Sequence, residues 1–385
     1  MIQKADRLND VKEYYFSKKL REVAALKSEG KPIINIAIGS PDLHPPLSVI
    51  EELKNAVNLS NAHQYQSYQG IPELRNGISD FYQKKYNVKL NANTEILPLM
   101  GSKEGIMHIS MAFLNKGDKV LIPNPGYPTY ASVTKLVEAE PVFYNLSEEE
   151  NWLPNFEEIE KEDLSGVKIM WVNYPHMPTG ALASKEDFKQ LIDFAKKHQI
   201  LIVNDNPYSF ILNDNPISIL EAEGAKEVAI ELNSLSKTFN MAGWRIGMVV
   251  GDAQIIKTIL EVKSNMDSGM FLGIQKGAVE ALKLSDDWFK KQDEIYKNRR
   301  KLVWQIFDAL ECTYNKNIGG LFVWAKLPKD ADAKEFTDKL LYNNDVFIAP
   351  GTVFGTNGEG YIRASLCVSE EQLTQVLSKL ITAKV

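Results

Sequence analysis

Short apolar runs alternate with amphipathic stretches through the middle of the chain. The runs lie at residues 119–123, 167–172, 201–203, 228–232 and 246–250. Each is rich in β-branched or other apolar residues, which is the pattern of a buried strand. Residues 185–198 between them follow a helical period, with Phe188 and Leu191 on one face. This alternation predicts an α/β fold with a mostly parallel sheet flanked by helices on both faces.

The pattern changes after about residue 285. A long amphipathic helix is predicted over 288–310, and residues 319–325 alternate like a half-exposed strand. Further predicted elements are a helix at 333–343, strands at 346–349 and 361–366, and a terminal helix. We therefore predict two domains. The large α/β domain spans residues 36–284, and the smaller α+β domain is formed by residues 1–35 and 285–385.

The composition narrows the class of protein. The chain has 385 residues, 44% hydrophobic and 24% charged, and a formal net charge of −6 without a basic arm. This argues against a nucleic-acid binder, and no apolar run approaches the ~20 residues that a membrane span needs. The five histidines show no metal-ligand spacing, so no metal site is predicted.

The two cysteines give an indication of the cellular compartment in which the protein works. Cys312 and Cys367 lie far apart in the sequence, and no secretory apolar segment stands at its start. Both observations favour a cytoplasmic protein with reduced thiols. A single disulfide between the two remains an alternative at this point.

The stretch 234–247 carries the strongest chemical signal. Lys237 follows an apolar strand, where burial should lower the pKa of its amine and make it a nucleophile. Ser234, Ser236 and Arg245 could together hold a dianion such as a phosphate. Taken alone, the stretch is equally compatible with a surface loop that contains an incidental lysine.

A second signal lies at the end of the predicted strand 201–203. Asp205 stands where ligands bind in open α/β sheets, and a protonated pyridine nitrogen would be a suitable partner for its carboxylate. Tyr208 follows three residues later and could reach the ring's phenolic oxygen. The alternative for Asp205 is a helix cap or loop acid, a common use of Asp after a strand.

These motifs resemble those of the fold-type I pyridoxal-phosphate enzymes, specifically the class I/II aminotransferases. The most specific one is Ser-x-Ser-Lys followed by Gly-x-Arg-x-Gly, present here as residues 234–247. The resemblance runs from about residue 30 to the end of the chain. It implies pyridoxal 5'-phosphate as the cofactor and an α/β cofactor-binding domain with a smaller second domain.

The resemblance also implies roles for single residues. Lys237 resembles the Schiff-base lysine that carries the proton between substrate and cofactor. Asp205 resembles the acid that keeps the pyridine nitrogen protonated, and Tyr208 the donor to the phenolic oxygen. The residues that resemble the phosphate clamp are Arg245, Ser234 and Ser236.

Further residues match the family at the cofactor. The turn Gly-Ser-Lys-Glu-Gly resembles a phosphate-binding helix start, with backbone amides of Ser102 and Lys103 facing the phosphate. Tyr127 resembles the aromatic residue that stacks on the cofactor ring, although without the resemblance core packing would be the favoured explanation. Asn173 could support the contact to the phenolic oxygen.

One residue is expected to act from a second chain. Tyr65 lies five residues before Gly70, like the tyrosine that in this family reaches the neighbouring subunit's phosphate. The resemblance therefore implies a homodimer with shared active sites and isologous contacts. Ser268 and Gly269 are candidates for lining the same shared cleft.

Three residues are expected to bind the substrate. Arg363 resembles the arginine that grips the substrate α-carboxylate through a bidentate fork, although a strand-surface arginine is the alternative. Gly39 resembles a glycine whose backbone approaches the substrate closely. Tyr14 resembles an N-terminal tyrosine that contacts substrate in some members, although its local spacing is imperfect.

The chain departs from the family at Met177. The family has Asn-Pro-x-Asn-Pro-Thr-Gly here or a close variant, whereas this chain has Asn-Tyr-Pro-His-Met-Pro-Thr-Gly over 173–180. A thioether cannot donate the hydrogen bond that the family's asparagine gives to the phenolic oxygen. We expect Tyr208 to make that contact without it.

The reaction is less tightly indicated than the cofactor, because one scaffold hosts several chemistries. The resemblance favours an aminotransferase near the alanine, aspartate and LL-diaminopimelate subgroup, in amino-acid metabolism and biosynthesis. It would pass an amino group from an L-amino acid to 2-oxoglutarate or pyruvate by a ping-pong mechanism via pyridoxamine phosphate. The alternative is a pyridoxal-phosphate-dependent C–S β-lyase. A non-catalytic regulator is disfavoured because no residues are spare for a DNA-binding module.

Overall fold

The computed structural model describes residues 2–328 and 331–382. Its strands are β1 (Ile34–Asn35), β2 (Ile96–Leu99), β3 (Lys119–Asn124), β4 (Glu140–Asn145), β5 (Val167–Val172), β6 (Leu201–Asp205), β7 (Ala229–Ser234), β8 (Gly247–Val250), β9 (Thr313–Tyr314), β10 (Phe322–Lys326), β11 (Val346–Phe347), β12 (Ala349–Pro350) and β13 (Tyr361–Ser365). Short 3₁₀ turns lie at Asp6–Leu8, Ile219–Glu221, Ala242–Trp244, Gly351–Phe354 and Thr356–Gly358.

Helices alternate with these strands along the chain. They are α1 (Tyr15–Ser28), α2 (Leu47–Ala56), α3 (Pro72–Tyr86), α4 (Ser102–Phe113), α5 (Pro128–Leu136), α6 (Phe156–Ile159), α7 (Lys185–His198), α8 (Ala225–Val228), α9 (Leu235–Thr238), α10 (Ala253–Lys263), α11 (Leu272–Leu282), α12 (Asp286–Ala309), α13 (Ala333–Asn344) and α14 (Glu370–Thr382). Among the described residues, no helix is both long and apolar enough to cross a membrane.

Seven strands form the central sheet in the order β2-β8-β7-β6-β5-β3-β4. Strands β3 to β7 are parallel to one another, and β8 is antiparallel to both of its neighbours. Alternate side chains of β5 enter different apolar clusters: Met170 joins one and Trp171 the other. The sheet is therefore buried on both faces, as the continuous apolar runs predicted.

Helices cover each face of this sheet. Ile106 of α4 and Ile259 of α10 pack in one cluster, and Phe188 of α7 packs in the other. Helix α7 begins at a capping box, in which Ser184 Oγ accepts from Asp187 N at 3.2 Å and Ser184 N donates to Asp187 Oδ2 at 2.7 Å. These bonds satisfy amide groups that have no partner inside the helix. The predicted fold class is confirmed.

A second, antiparallel sheet with the order β12-β13-β10-β9 forms the smaller unit. The half-exposed strand predicted at 319–325 is wrong in its burial, because Phe322 to Ala325 of β10 are all buried. Strand β1 pairs in parallel with β11, so the N-terminal segment contacts the C-terminal part of the chain. The domain boundaries at 35/36 and 284/285 stay predictions.

Candidate active site

A cleft of about 600 Å³ opens where the parallel strands end. Strands β5, β6 and β7 are neighbours in the sheet, and their carboxyl ends lead into Asn173, Asp205 and Ser234. This edge is where open α/β sheets bind ligands. The cleft gathers nearly all the predicted site residues, namely Tyr14, Gly39, Ser102, Lys103, Tyr127, Asn173, Asp205, Tyr208, Ser234, Ser236, Lys237, Arg245 and Arg363.

Lys237 lies in α9, the single helical turn that follows β7. Its ammonium group donates to the carbonyl oxygen of Gly39 at 2.5 Å. Desolvation lowers the pKa of Lys237, and the nearby positive charges of Arg363 and Arg245 lower it further. A lowered pKa increases the fraction of the neutral, nucleophilic amine, in the direction that the sequence predicted.

Asp205 ends β6 beneath the cleft and is buried. Its Oδ2 accepts a hydrogen bond from the Tyr130 hydroxyl at 2.9 Å, while Oδ1 has no partner among the described residues. Burial raises the pKa of Asp205 to about 7, against the opposing effect of the Tyr130 hydrogen bond. A buried acceptor oxygen without a donor suits a ligand that brings a positively charged N–H.

One end of the cleft is suited to an anion. The side chain of Arg245 lies so close to Gly101, at the start of α4, that a Cβ there would stand 2.2 Å from Nη2. Gly101 has φ +94°, which also favours glycine. On the same side, Ser234 Oγ accepts from the backbone N–H of Ser236 at 3.1 Å. A guanidinium beside a helix N-terminus and hydroxyl groups forms a typical phosphate site.

Arg363 projects from β13, lines the same cleft and is buried. Its Nη2 donates to the carbonyl oxygen of Ala37 at 2.7 Å, and its guanidinium carbon lies 3.8 Å from the ring centre of Phe322 and 4.4 Å from that of Phe354. Burial lowers the pKa of Arg363 to about 10. It forms no ion pair with any described residue, so it can bind a ligand carboxylate.

Tyr14 and Gly39 border the space between these groups. The ammonium of Lys103 lies 4.9 Å from the centre of the Tyr14 ring. Desolvation lowers the pKa of Lys103, with a further contribution from Arg245. Gly39 is packed so closely that an added Cβ would stand 2.2 Å from Phe322. The backbone at Gly39 therefore lies where the sequence placed it, at the wall of the cleft.

In the turn that contains Met177, Asn173 differs from the expectation that its side chain could support the contact to the cofactor's phenolic oxygen. Asn173 uses its side chain to hold backbone groups: Oδ1 accepts from Met177 N at 2.7 Å, and Nδ2 donates to the carbonyl oxygen of Asp205. Met177 Sδ lies 3.2 Å from Nη1 of Arg363. Met177 thus contacts the group expected to bind the substrate carboxylate. Burial raises the pKa of Tyr208, which keeps its hydroxyl protonated and able to donate.

Tyr65 is the predicted site residue that this chain does not bring to the cleft. Its side chain is 91% exposed, and it lines a separate surface depression together with Ser268 and Gly269. The proposed role of Tyr65 needs a second chain, so it stays a prediction.

Sequence reasoning missed several residues of the site. Tyr130 bonds to Asp205 and stacks on Trp171 with ring centres 4.8 Å apart. Its position three residues after Tyr127, on the same helical face, was an available signal. Phe16, Phe322 and Phe354 surround Arg363, but nothing in their local patterns distinguished them from core residues.

Three residues outside the cleft lining are close enough together to be considered as metal ligands. Glu104, His108 and Asp267 could offer ligand atoms within 4.8 Å of one another. Lys263 already forms an ion pair with Asp267, with Nζ 2.9 Å from Oδ2. The absence of a metal stays a prediction.

Comparison with known sequences and solved structures identifies proteins that this chain resembles over nearly its whole length. The profile described as aminotransferase class I and II matches residues 31–380. An LL-diaminopimelate aminotransferase of Dehalococcoides mccartyi is 42% identical over 380 residues, covering 98% of each chain. One from Halothermothrix orenii is 39% identical over 381 residues, again covering 98% of each. The solved structure of substrate-bound BacF from Bacillus subtilis superposes with a TM-score of 0.96 at 34% identity, covering 100% of this chain and 98% of that one.

Proposed function

This chain belongs to the class I and II aminotransferases, and we propose that it transfers amino groups with pyridoxal 5'-phosphate carried on Lys237. The transfer runs between an amino acid and a 2-oxo acid. The C–S β-lyase alternative is not favoured, because the relatives that match nearly the whole chain are named aminotransferases. The observation that carries the proposal is that one cleft is lined by Lys237, by Asp205 with a buried oxygen that has no donor among the described residues, and by Arg363 without an ion pair among them.

The residues present fit this cofactor. Asp205 Oδ1 is buried and has no donor among the described residues, so a protonated pyridine nitrogen would satisfy it. Arg245, the start of α4 and Ser234 suit the phosphate at the other end of the same cleft. When bound, the cofactor supplies an electron-withdrawing ring that makes the substrate Cα–H acidic.

The chain's own residues then orient the substrate and move its proton. Arg363 binds the α-carboxylate through its planar fork and so fixes the direction of the Cα–H bond. Lys237, with its lowered pKa, accepts that proton as a general base and returns it as a general acid. Tyr130 holds the Asp205 carboxylate in place and acts as a positioning residue. The same groups serve the amino acid first and then the oxo acid, proposed as 2-oxoglutarate or pyruvate, in a ping-pong order.

The assembly and location are further parts of the proposal. A homodimer would bring the exposed Tyr65 of each chain to the phosphate end of its partner's cleft. The two buried, free thiols of Cys312 and Cys367 fit a cytoplasmic enzyme.

Substitution of Lys237 tests the proposal. We expect Lys237→Ala to lower turnover at least about 10³-fold, because the nucleophile and proton carrier are both lost. Borohydride reduction of the natural protein with pyridoxal phosphate should add the cofactor mass to the peptide containing Lys237, and no such mass should appear in the variant. Lys283→Ala, at an exposed lysine paired with Glu280, is the matched control and should keep both properties. Labelling at another lysine would refute the assignment.

A further inference from the structure

We propose that the amino-acid donor of this enzyme has an uncharged, apolar side chain, aromatic above all, and that a donor with a second ammonium group is excluded. This inference rests on the proposed function, because it takes Arg363 as the group that binds the substrate α-carboxylate. It concerns the part of the cleft that would receive the substrate side chain.

The wall beside Arg363 is apolar and largely aromatic. The rings of Phe354 and Phe16 have their centres 4.4 Å and 5.7 Å from the guanidinium carbon, and 6.3 Å from each other. Tyr14 continues this wall edge-on to Phe16, with ring centres 5.6 Å apart. Leu20, one turn beyond Phe16 on α1, lines the same cleft. A substrate ring placed here would gain offset or edge-to-face contacts.

The charges in the cleft exclude a second ammonium. Asp205 is the one acid among the described residues that line the cleft, and its free oxygen is needed for the cofactor. The other charged residues of the lining are Lys103, Lys237, Arg245 and Arg363. A side chain ending in an ammonium would lose its water and find no free carboxylate in the cleft. LL-diaminopimelate, the compound in the relatives' name, carries a distal ammonium of this kind beside a second carboxylate.

The acids nearest in sequence to the cleft-lining residues Tyr14 and Ser40, namely Glu13 and Asp42, already have partners. Glu13, next to Tyr14 in the chain, accepts from Arg21 Nη2 at 2.8 Å and from Ser17 Oγ at 2.6 Å. The Arg21 hydrogen bond lowers the pKa of Glu13 to about 2. Asp42 forms a bidentate pair with Arg299, at 2.6 Å and 2.8 Å. Neither carboxylate is free to receive a substrate ammonium.

A second copy of the chain would not supply the missing acid. The segment 58–72, which carries Tyr65, contains no Asp or Glu. In the adjoining loop, the side chain of Asp267 is buried and paired with Lys263, and it accepts a hydrogen bond from the backbone N–H of Gly269 at 2.9 Å. The segments expected at the shared cleft therefore bring aromatic and amide side chains and no free carboxylate.

The donor half-reaction tests the inference. The protein loaded with pyridoxal phosphate would be mixed with one amino acid and no oxo acid, and the loss of visible absorbance followed for L-phenylalanine, L-leucine, L-lysine and LL-diaminopimelate. We expect the apparent second-order rate constant for phenylalanine to exceed those for lysine and diaminopimelate by at least about 100-fold. A constant for diaminopimelate equal to or above that for phenylalanine would overturn the inference and leave the proposed function standing. No conversion with any amino acid, including alanine, aspartate and glutamate, would instead refute the proposed function.

An acid placed in the wall should shift this preference. We expect Leu20→Glu to raise the diaminopimelate-to-phenylalanine ratio of rate constants by about 5-fold, because it gives the second ammonium a partner. Ile381→Glu, at another exposed aliphatic residue, on α14 and outside the cleft lining, is the matched control and should leave the ratio unchanged. An unchanged ratio in the Leu20 variant would show that the substrate side chain does not lie against α1.

Discussion

Two buried groups of opposite charge, Asp205 and Arg363, lie in the cleft without an ion-pair partner among the described residues. Asp205 receives the Tyr130 hydroxyl, and Arg363 has a carbonyl oxygen and a thioether as its partners. Keeping a charge buried without a counter-charge costs free energy, and part of that cost shows in the pKa of Asp205, which burial raises to about 7. Their presence is explained if a ligand supplies a positive charge at one end and a carboxylate at the other.

Met177 gives a prediction at the level of one residue. We expect Met177→Asn to lower the pKa read from the visible absorbance of the cofactor-loaded protein, because an amide can donate a hydrogen bond that stabilises the deprotonated form. Spectrophotometric titration measures this pKa. Met177→Leu adds no donor and serves as the control of similar size. An unchanged or raised pKa in the asparagine variant alone would contradict the prediction.

The residues that sequence reasoning found and those it missed differ in kind. Lys237 and Asp205 were recognisable because polar residues at the ends of apolar strands stand out locally. Phe16, Phe322 and Phe354 were not, because an apolar residue in a helix or strand predicts core packing wherever it lies. Their meeting around Arg363 joins three separate segments, of which the one with Phe16 lies more than 300 residues away in the sequence, and no local period encodes such contacts.

At the scale of elements, the sequence predicted the positions of helices and strands well where the hydrophobic period is regular. It did not predict strand direction or burial on both sides of a strand. Helix α7 occupies the predicted range, and the five predicted strands correspond to β3, β5, β6, β7 and β8. The antiparallel direction of β8 could not be predicted, because a period of two residues does not encode strand direction. Burial of β10 on both sides was missed, because it depends on α12 and other elements that pack there.

The turn over residues 173–180 leads to a prediction about pH and stability. Burial lowers the pKa of His176 from its ordinary 6.5 to about 3, and its Nδ1 lies 2.8 Å from Thr179 Oγ1. Below pH 6.5 the unfolded chain therefore binds a proton that the folded chain does not, so folding stability is lost as the pH falls. Between pH 7 and pH 5 this contribution is about 2 kcal/mol.

Urea unfolding at pH 5 and pH 7 checks this expectation. We expect the free energy of unfolding to fall less between pH 7 and pH 5 in His176→Asn than in the natural protein, because the variant has no imidazole to titrate. His63→Asn, at a histidine of the surface depression that holds Tyr65, is the control and should keep the natural pH dependence. Equal losses in the natural protein and the His176 variant would exclude this origin.

At the scale of the whole molecule, one chain presents the cleft but leaves Tyr65 in solvent. The chain also exposes Leu47, Leu59, Tyr68, Met266 and Phe271, several of them in or beside the segments that line the Tyr65 depression. Exposed apolar groups gathered on one side of a protein are typical of an interface. The homodimer remains a proposal, and it explains both the exposed groups and the position of Tyr65.

Mixed dimers test whether Tyr65 acts on the partner's cleft. We expect Tyr65→Ala and Lys237→Ala to be nearly inactive alone and to regain about a quarter of the natural activity when refolded together in equal amounts. Half of the dimers would then be mixed, and each would contain one site with both natural residues. A mixture of Asp205→Ala with Lys237→Ala is the control and should stay inactive, because both residues belong to the same chain's site. Failure of the first mixture despite mixed dimers would place Tyr65 outside the partner's site.

The unpaired charges of the cleft also bear on how long the protein survives in a cell. Lys103, Arg245 and Arg363 form no ion pair with described residues, so the cleft is most strained when no anionic ligand fills it. A cofactor that supplies phosphate therefore stabilises the folded chain in proportion to the logarithm of its concentration. Chains without it open more often and are exposed to proteases for longer. We therefore expect the supply of the proposed cofactor to set the number of folded enzyme molecules as well as their activity.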